Sequence, residues 1–212
     1  MFTDALDGES IFKRRRTQLE GFIGGVWYFT GTGGAFLEMS NKMYNSLPGD
    51  VRDNVLLDPT SDTANNEHLI NKYPGSSGFL FLNDEKVMRV SEMYLIRAEC
   101  HARLSQWTLA ADDIKSIRDA RTASNTPVDT YANLLQAANA ILAERFVELA
   151  YEGHRYVDLK RLRNVTNVGV VRNPLDCGGA VPCELGVNDP KFTLPIPQAE
   201  MDSNSNMVQN DY

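Results

Sequence analysis

The spacing of apolar residues changes twice along the chain. Over residues 87–164 they recur at helical intervals and Pro127 is the only proline, whereas the flanking stretches are rich in Gly, Pro and Asn. The pattern therefore predicts a loop-rich segment over 1–85 that packs on the helical body and contains one short helix. It further predicts a helical core over 86–164 and a C-terminal loop and tail over 165–212.

Apolar positions three or four residues apart predict three long helices and a short fourth in this core. The long ones are expected over 87–104, 107–122 and 130–152. The first is expected to bury the stripe formed by Val90, Met93, Tyr94, Ala98 and Leu104. A very short connection predicts that the first two helices form an antiparallel hairpin. The third is expected to begin with Asp129 as its N-cap and to end at Gly153.

Several charged residues fall on or beside the predicted apolar faces. They are Arg118, Arg121, Glu144, Arg145, Glu148 and Glu152. We interpret them as an ion network that fixes how the helices dock, since buried charges are tolerated when paired and arginine binds carboxylates bidentately. The alternative is a carboxylate pair that performs acid–base chemistry. The network is favoured because a catalytic acid needs a raised pKa, which nearby arginines oppose.

The three cysteines fall into a pair and a single residue. Cys177 and Cys183 flank a Gly-Gly-Ala-Val-Pro loop, a spacing that permits a disulfide and implies an oxidising compartment. Two free thiols and a metal site are the alternatives, and the metal site is disfavoured because the histidines are scattered. Cys100 lies in a helical pattern and is expected to be a small buried residue. No metal and no cofactor are predicted.

Composition and charge narrow the functional classes. The 212 residues are 42% apolar and 23% charged, which is typical of a globular chain. A net charge of −7 repels a polyphosphate backbone, so no nucleic-acid partner is expected. The chain as it stands is expected to have neither a membrane span nor a signal peptide. It carries no Gly-x-Ser-x-Gly, phosphate-loop or His-Glu-x-x-His motif, so no enzymatic activity is predicted.

Several stretches carry longer motifs in a consistent order. They are RVSEMYLIRAE (89–99), IKSIRDAR (114–121), ERFVELAYEGHRYVDLKR (144–161), LPIPQAE (194–200) and QNDY (209–212). Together they resemble the motifs of the SusD/RagB family, glycan-binding lipoproteins of the bacterial outer membrane. Ser91, Cys100 and Phe146 depart from the family pattern. The chain resembles the C-terminal part of such a protein.

The resemblance implies a mainly α fold, a tetratricopeptide-like α/α superhelix with loop-rich insertions. It implies non-catalytic binding of an oligosaccharide or glycan, which is delivered to a SusC-like TonB-dependent transporter. It also implies an outward-facing outer-membrane lipoprotein, associated with the membrane only through a lipid anchor absent from this chain. Trp27, Tyr28 and Phe29, in a Gly-rich stretch, are candidate ligand-binding residues because sugar rings dock on exposed aromatic faces. Alternatively, they form a hydrophobic plug over the helices.

Two other functional classes stay open. The first is a protein- or peptide-binding helical scaffold of the same family, since stacked helix pairs present concave surfaces. The second is a glycosidase that uses Glu148 with Glu152 or Asp158, which the nearby arginines disfavour. The chemistry of the ligand separates the first from glycan binding, and released sugar would identify the second.

Overall fold

Helices dominate the architecture, as predicted. The computed structural model describes residues 2, 4, 7–18, 37–76, 78–80, 82–178 and 182–212. In chain order the elements are β1 (Ser10–Arg14), α1 (Asn41–Tyr44), α2 (Val51–Leu56), β2 (Glu85–Arg89), α3 (Val90–Arg103), α4 (Trp107–Thr122), α5 (Leu134–Glu148), α6 (His154–Thr166), β3 (Val170–Val171), β4 (Glu184–Leu185) and α7 (Gln198–Ser203). None of the helices in these described ranges has the length and hydrophobicity that crossing a bilayer requires.

The four long helices form the body of the molecule. Helices α3 and α4 pack as a hairpin, α5 lies against both, and α6 packs on α5. The residues at the centre of this packing are mostly alanines: Ala98, Ala102, Ala110, Ile114, Ala137 and Ile141. Small side chains let the helix backbones approach closely, so this part of the core is filled without large side chains.

Helix α3 differs from the prediction in its start and in its buried face. It begins at Val90 rather than at residue 87, because residues 85–89 form β2. Its buried residues are Ser91, Leu95, Ala98 and Ala102. Val90 and Leu104, from the predicted stripe, are 40% and 68% exposed. Of the predicted stripe Ala98 is buried, and α3 packs mainly through Leu95 and its alanines, which leaves Cys100 exposed rather than buried.

Helix α5 also begins later than predicted. Its N-cap is Asn133 rather than Asp129. The side-chain oxygen of Asn133 accepts a hydrogen bond from the backbone N–H of Gln136 at 3.0 Å. The helix ends at Glu148, and Gly153 precedes α6 instead of ending α5. Tyr151 (φ 62°) and Gly153 (φ 87°) both adopt left-handed backbone conformations, which turn the chain sharply between the two helices.

The loop-rich N-terminal part contains more regular structure than expected. Strand β1 pairs antiparallel with β2, so residues 10 and 89 are partners across the ladder. Two short helices, α1 and α2, form where one was predicted. Met43, Leu56 and Ile70 pack with Val147 and Ala150 at the end of α5, so this part of the chain covers one side of the helical body.

The C-terminal part packs on the body around one buried aromatic residue. Phe192 is fully buried with Leu142, Leu159 and Leu162, from α5 and α6. Strands β3 and β4 form a two-stranded antiparallel ribbon beside it. This part was predicted to be a loop and tail, whereas it also contains α7.

Candidate ligand-binding site

A layer of opposite charges is buried between α5 and the elements around it. This charge layer consists of Arg52, Lys72, Arg89, Arg118, Arg121, Glu144, Glu148 and Glu152. The three glutamate side chains are at most 6% exposed. Asp50, Glu9 and Asp129 pair with Arg52, Arg121 and Arg118 at the edge of the layer, so every cation of the layer has a carboxylate partner. This pairing makes burial of so many charges tolerable.

Each glutamate of the charge layer accepts hydrogen bonds from at least two cations, and Glu148 also accepts a longer one from Arg52 at 3.5 Å. The pairs and their N–O distances are Arg52–Glu144 (2.6 Å), Arg118–Glu144 (2.8 Å), Arg89–Glu148 (3.0 Å), Arg121–Glu148 (2.6 Å), Arg89–Glu152 (2.7 Å) and Lys72–Glu152 (2.8 Å). The cations come from α2, β2, α4 and the loop before β2, so the layer connects segments that are far apart in sequence.

The charge layer holds its carboxylates in the ionised form. Burial alone would raise the pKa of Glu148, but hydrogen bonds and positive charge from Arg121 and Arg89 outweigh burial and bring the pKa to about 2. Burial alone would also raise the pKa of Glu152, but Lys72 and Arg89 hold that pKa below its ordinary value. A general acid needs the opposite shift, so these two carboxylates are poorly suited to donate a proton.

The structure brings five of the six predicted network residues together and places Arg145 elsewhere. Arg145 pairs with Asp158 of α6 (Nε–Oδ2 2.7 Å) on another side of α5. Sequence reasoning missed the partners Arg52, Lys72 and Arg89. The glutamate row at every fourth position indicated that such cations were needed, but its local pattern could not identify them.

Cys177 and Cys183 form a disulfide, and their Cα atoms are 5.5 Å apart. The neighbouring Asp176 accepts hydrogen bonds from the backbone and side-chain nitrogens of Asn41 at 3.0 and 2.7 Å, which ties this loop to the start of α1. Within the described ranges, no group of three or more His, Cys, Asp or Glu side chains is arranged to hold a metal ion.

The three candidate ligand-binding residues, Trp27, Tyr28 and Phe29, lie outside the residues that the structure describes. Aromatic side chains that do line a cavity are found at the turn between α5 and α6, a place that sequence reasoning did not select.

The cavity at the start of α6, which we call the α6 cavity, has a volume of about 410 Å³. The side chains that define its chemistry are Arg145, Phe146, Tyr151, His154, Arg155 and Tyr156. The left-handed residues Tyr151 and Gly153 reverse the chain there, so the last turn of α5 and the first turn of α6 lie side by side. This volume lies within the range of roughly 300–1,000 Å³ typical of small-molecule sites.

The α6 cavity presents both an aromatic face and hydrogen-bonding groups. The Tyr156 hydroxyl donates to the backbone oxygen of Phe192 at 2.6 Å, which anchors a residue that is 40% exposed. The guanidinium of Arg155 lies over the Phe146 ring, 4.5 Å from its centroid, and donates to the Leu142 backbone oxygen at 3.3 Å. These anchored side chains can contact a ligand without losing much conformational entropy.

Two other cavities offer less to a ligand. The cleft between α3 and α6 has a volume of about 430 Å³, and no Phe, Tyr or Trp is found among its described lining residues. Most of its charges are already paired, as in the contact of Arg161 with Glu99. The cavity beside the charge layer is smaller, about 280 Å³, and its arginines are engaged by Glu148, Glu9 and other carboxylates. Of these three cavities, the α6 cavity offers several aromatic side chains beside anchored polar groups, and we take it as the candidate site.

Comparisons with known proteins agree on one family. The SusD family model matches residues 27–212. The SusD-like protein P2 of Formosa agariphila is 30% identical over 178 residues, which are 78% of this chain and 34% of that protein. The chain therefore spans about a third of the length of that relative.

Solved structures show the same fold. A SusD superfamily protein from Bacteroides thetaiotaomicron superposes with a TM-score of 0.75 at 24% identity, over 96% of this chain and 49% of that one. A putative sugar binding protein from Bacteroides vulgatus superposes with a TM-score of 0.72 at 26% identity, over 95% of this chain and 45% of that one. These matches confirm the predicted tetratricopeptide-like helical scaffold.

Proposed function

The chain belongs to the SusD family, as its motifs indicated, and from this premise we propose that it binds an oligosaccharide or glycan without transforming it. The observation that carries the proposal is the α6 cavity, in which a half-exposed tyrosine stands beside anchored polar side chains. A sugar ring needs both, because its C–H face stacks on an aromatic ring while its hydroxyl groups need hydrogen-bonding partners.

The polar groups of the α6 cavity match the hydroxyl groups of a sugar. Arg145 and Arg155 are donors, and His154 can donate or accept. Ser40, which precedes α1, adds a hydroxyl group to the lining. A carbohydrate bound here would exchange hydrogen bonds with water for hydrogen bonds with fixed protein groups, which favours specific recognition.

The state of the buried carboxylates supports binding rather than hydrolysis. A glycosidase uses two carboxyl groups, one of which must hold a proton near neutral pH. Glu148 is paired with three cations and Glu152 with two, and both pKa values lie below the ordinary range. We assign these residues to the support of the fold.

We further propose the cellular setting that the family resemblance implies. The chain would act in an outward-facing lipoprotein of the outer membrane and deliver its glycan to a SusC-like TonB-dependent transporter. Its net charge of −7 supports a partner other than nucleic acid. The whole protein's partners are inferred from the family, because the chain spans only a part of its relatives.

Affinity electrophoresis and calorimetry against plant, host and microbial polysaccharides test the proposal, with released reducing ends measured in the same mixtures. We expect binding without release. Tyr156→Ala should weaken binding about tenfold or more, since stacking on an aromatic ring is worth on the order of 1 kcal/mol and the displaced anchor adds to the loss. Tyr156→Phe keeps the ring but loses the hydrogen bond to Phe192, so it is the matched control, for which a smaller loss than that of Tyr156→Ala is expected.

Each other outcome has a definite meaning. Released reducing ends would contradict the non-catalytic role. Wild-type affinity in a folded Tyr156→Ala variant would place the glycan away from the α6 cavity. Failure of every glycan to bind would favour the protein- or peptide-binding scaffold, for which the exposed Ile96 and Val157 in the cleft between α3 and α6 are the contact surface.

A further inference from the structure

Arg155 of the α6 cavity differs from the other buried arginines in what it contacts. Among the described residues, no carboxylate lies within ion-pair distance of Arg155, which donates instead to a backbone oxygen and covers the Phe146 ring. Burial lowers the pKa of its guanidinium, and the more distant charge of Asp158 opposes this shift only in part. Arg155 therefore has capacity for a negatively charged partner.

Arg145 offers a second incompletely used guanidinium. The residue is only 6% exposed, and its Nε donates to Asp158 at 2.7 Å. Glu92 lies farther away, with its Oε1 3.9 Å from Nη2. Arginine has five N–H donors, and the hydrogen bond of Nε to Asp158 uses one of them.

The start of α6 adds a third source of positive potential. Its N-cap is Gly153, which offers no side-chain oxygen to the first-turn N–H groups. Residues 153–156 all line the cavity, so the positive end of this 13-residue helix faces it. His154 lies there as well, with Glu92 at 3.5 Å.

Nearby side chains reinforce this local positive charge. The pKa of Lys42 is lowered by burial and by the charge of Arg155, which shows that a further cation lies close to that guanidinium. The acidic residue lining the cavity is the exposed Glu38. Arg145 is paired with Asp158 and His154 lies beside Glu92, so among the described lining residues Arg155 is the cation that no carboxylate engages.

We propose that the α6 cavity selects an acidic sugar, with Arg155 binding the anionic substituent, a carboxylate or a sulfate ester, while Tyr156 contacts the ring. The inference rests on the proposed glycan-binding function and names its substrate class. A guanidinium binds either anion through two parallel hydrogen bonds, which a neutral sugar cannot offer.

Calorimetric titration tests the inference with matched oligosaccharides of three kinds: neutral, uronate-containing and sulfated. We expect at least one acidic kind to bind wild-type protein about tenfold tighter than the neutral kind, as a charge-assisted hydrogen bond implies. Arg155→Gln should abolish this preference and Arg155→Lys should retain part of it. Comparison of the two acidic arms identifies the anion.

Arg163→Gln is the matched control. Arg163 also belongs to α6, donates to a backbone oxygen (that of Val187, at 3.2 Å) and lies over an aromatic ring, that of Phe192. It does not line the α6 cavity, so its replacement should leave the acidic preference unchanged.

The inference and the proposed function fail in different ways. If neutral and acidic glycans bind equally, or if Arg155→Gln keeps the preference, the inference is overturned and glycan binding stands. If no oligosaccharide binds but free glucuronate or sulfate does, and Arg155→Gln weakens that binding, the anion site stands and the glycan function is overturned. If none of these probes binds, both are overturned.

Discussion

The charge layer and the α6 cavity both gather arginines around α5, but their arginines meet different partners. In the charge layer each of Arg52, Arg89 and Arg121 contacts a carboxylate within 3.0 Å. In the α6 cavity Arg155 contacts a backbone oxygen and an aromatic ring. Paired charges satisfy one another and so hold the fold together, whereas an unpaired cation at a cavity is available to a ligand.

The largest expected effect is that of Glu148→Ala. The substitution leaves Arg89 and Arg121 without their shared carboxylate in a buried site, which should reduce the free energy of unfolding by about 3–5 kcal/mol. Urea denaturation measures this loss. Glu99→Ala is the control, because Glu99 pairs with the more exposed Arg103 and Arg161, and a change of about 0–1 kcal/mol is expected. Equal losses for the two variants would remove the distinction between buried and exposed pairs.

Acid should weaken the charge layer. The folded-state pKa of Glu148, about 2, lies below its ordinary value of 4.5, so its stabilising contribution is complete above pH 4.5 and is lost as the pH falls towards 2. This one group accounts for roughly 3 kcal/mol at most, since each unit of pKa is worth about 1.4 kcal/mol. Denaturation at a series of pH values measures it. Glu148→Gln should flatten the curve over this range, and an unchanged slope would assign the acid sensitivity to other groups.

Loss of the disulfide should have a smaller effect. For a loop this short, the chain-entropy model gives about 2 kcal/mol of stabilisation. Replacing Cys177 and Cys183 together by serine should lower the free energy of unfolding by about this amount, as measured by thermal unfolding. Cys100→Ser is the control because Cys100 is free and exposed. A loss as large as that of Glu148→Ala would show that the C-terminal loop contributes as much to the fold as the charge layer.

Arg155→Gln should have the smallest effect on stability. It removes a cation–π contact and one hydrogen bond to a backbone oxygen, together worth about 1 kcal/mol. Urea denaturation beside Glu148→Ala makes the comparison direct. A loss above about 3 kcal/mol would mean that Arg155 supports the fold much as the arginines of the charge layer do.

Local pattern predicted the helices better than the surfaces they bury. Helix α4 spans the predicted residues 107–122, and it buries one face that includes Ala110, Ile114 and Ile117. The face of α3 was predicted only in part, because the helix packs through Leu95 and alanines rather than through Val90 and Leu104. Burial of a helix face depends on its neighbours as well as on its own sequence.

The charge layer could be anticipated only in part. Three glutamates at every fourth position indicated a need for cations, but Arg52 and Arg89 come from α2 and β2, which local periodicity cannot connect to α5. The α6 cavity was missed although the family motif spans its residues. It exists because two left-handed residues, Tyr151 and Gly153, bring the ends of α5 and α6 together, and periodicity carries no information about such a turn.

One titration tests most directly whether the paired arginines of the charge layer stabilise the fold while the unpaired Arg155 binds the ligand. The preferred acidic oligosaccharide is titrated calorimetrically into wild type, Arg155→Gln and Glu148→Gln, each at a temperature at which all three are folded. Arg155→Gln should weaken binding about tenfold, while Glu148→Gln, although less stable, should bind as wild type does. The reverse result, in which Glu148→Gln loses the sugar and Arg155→Gln keeps it, would place the ligand at the charge layer and overturn the assignment of both clusters.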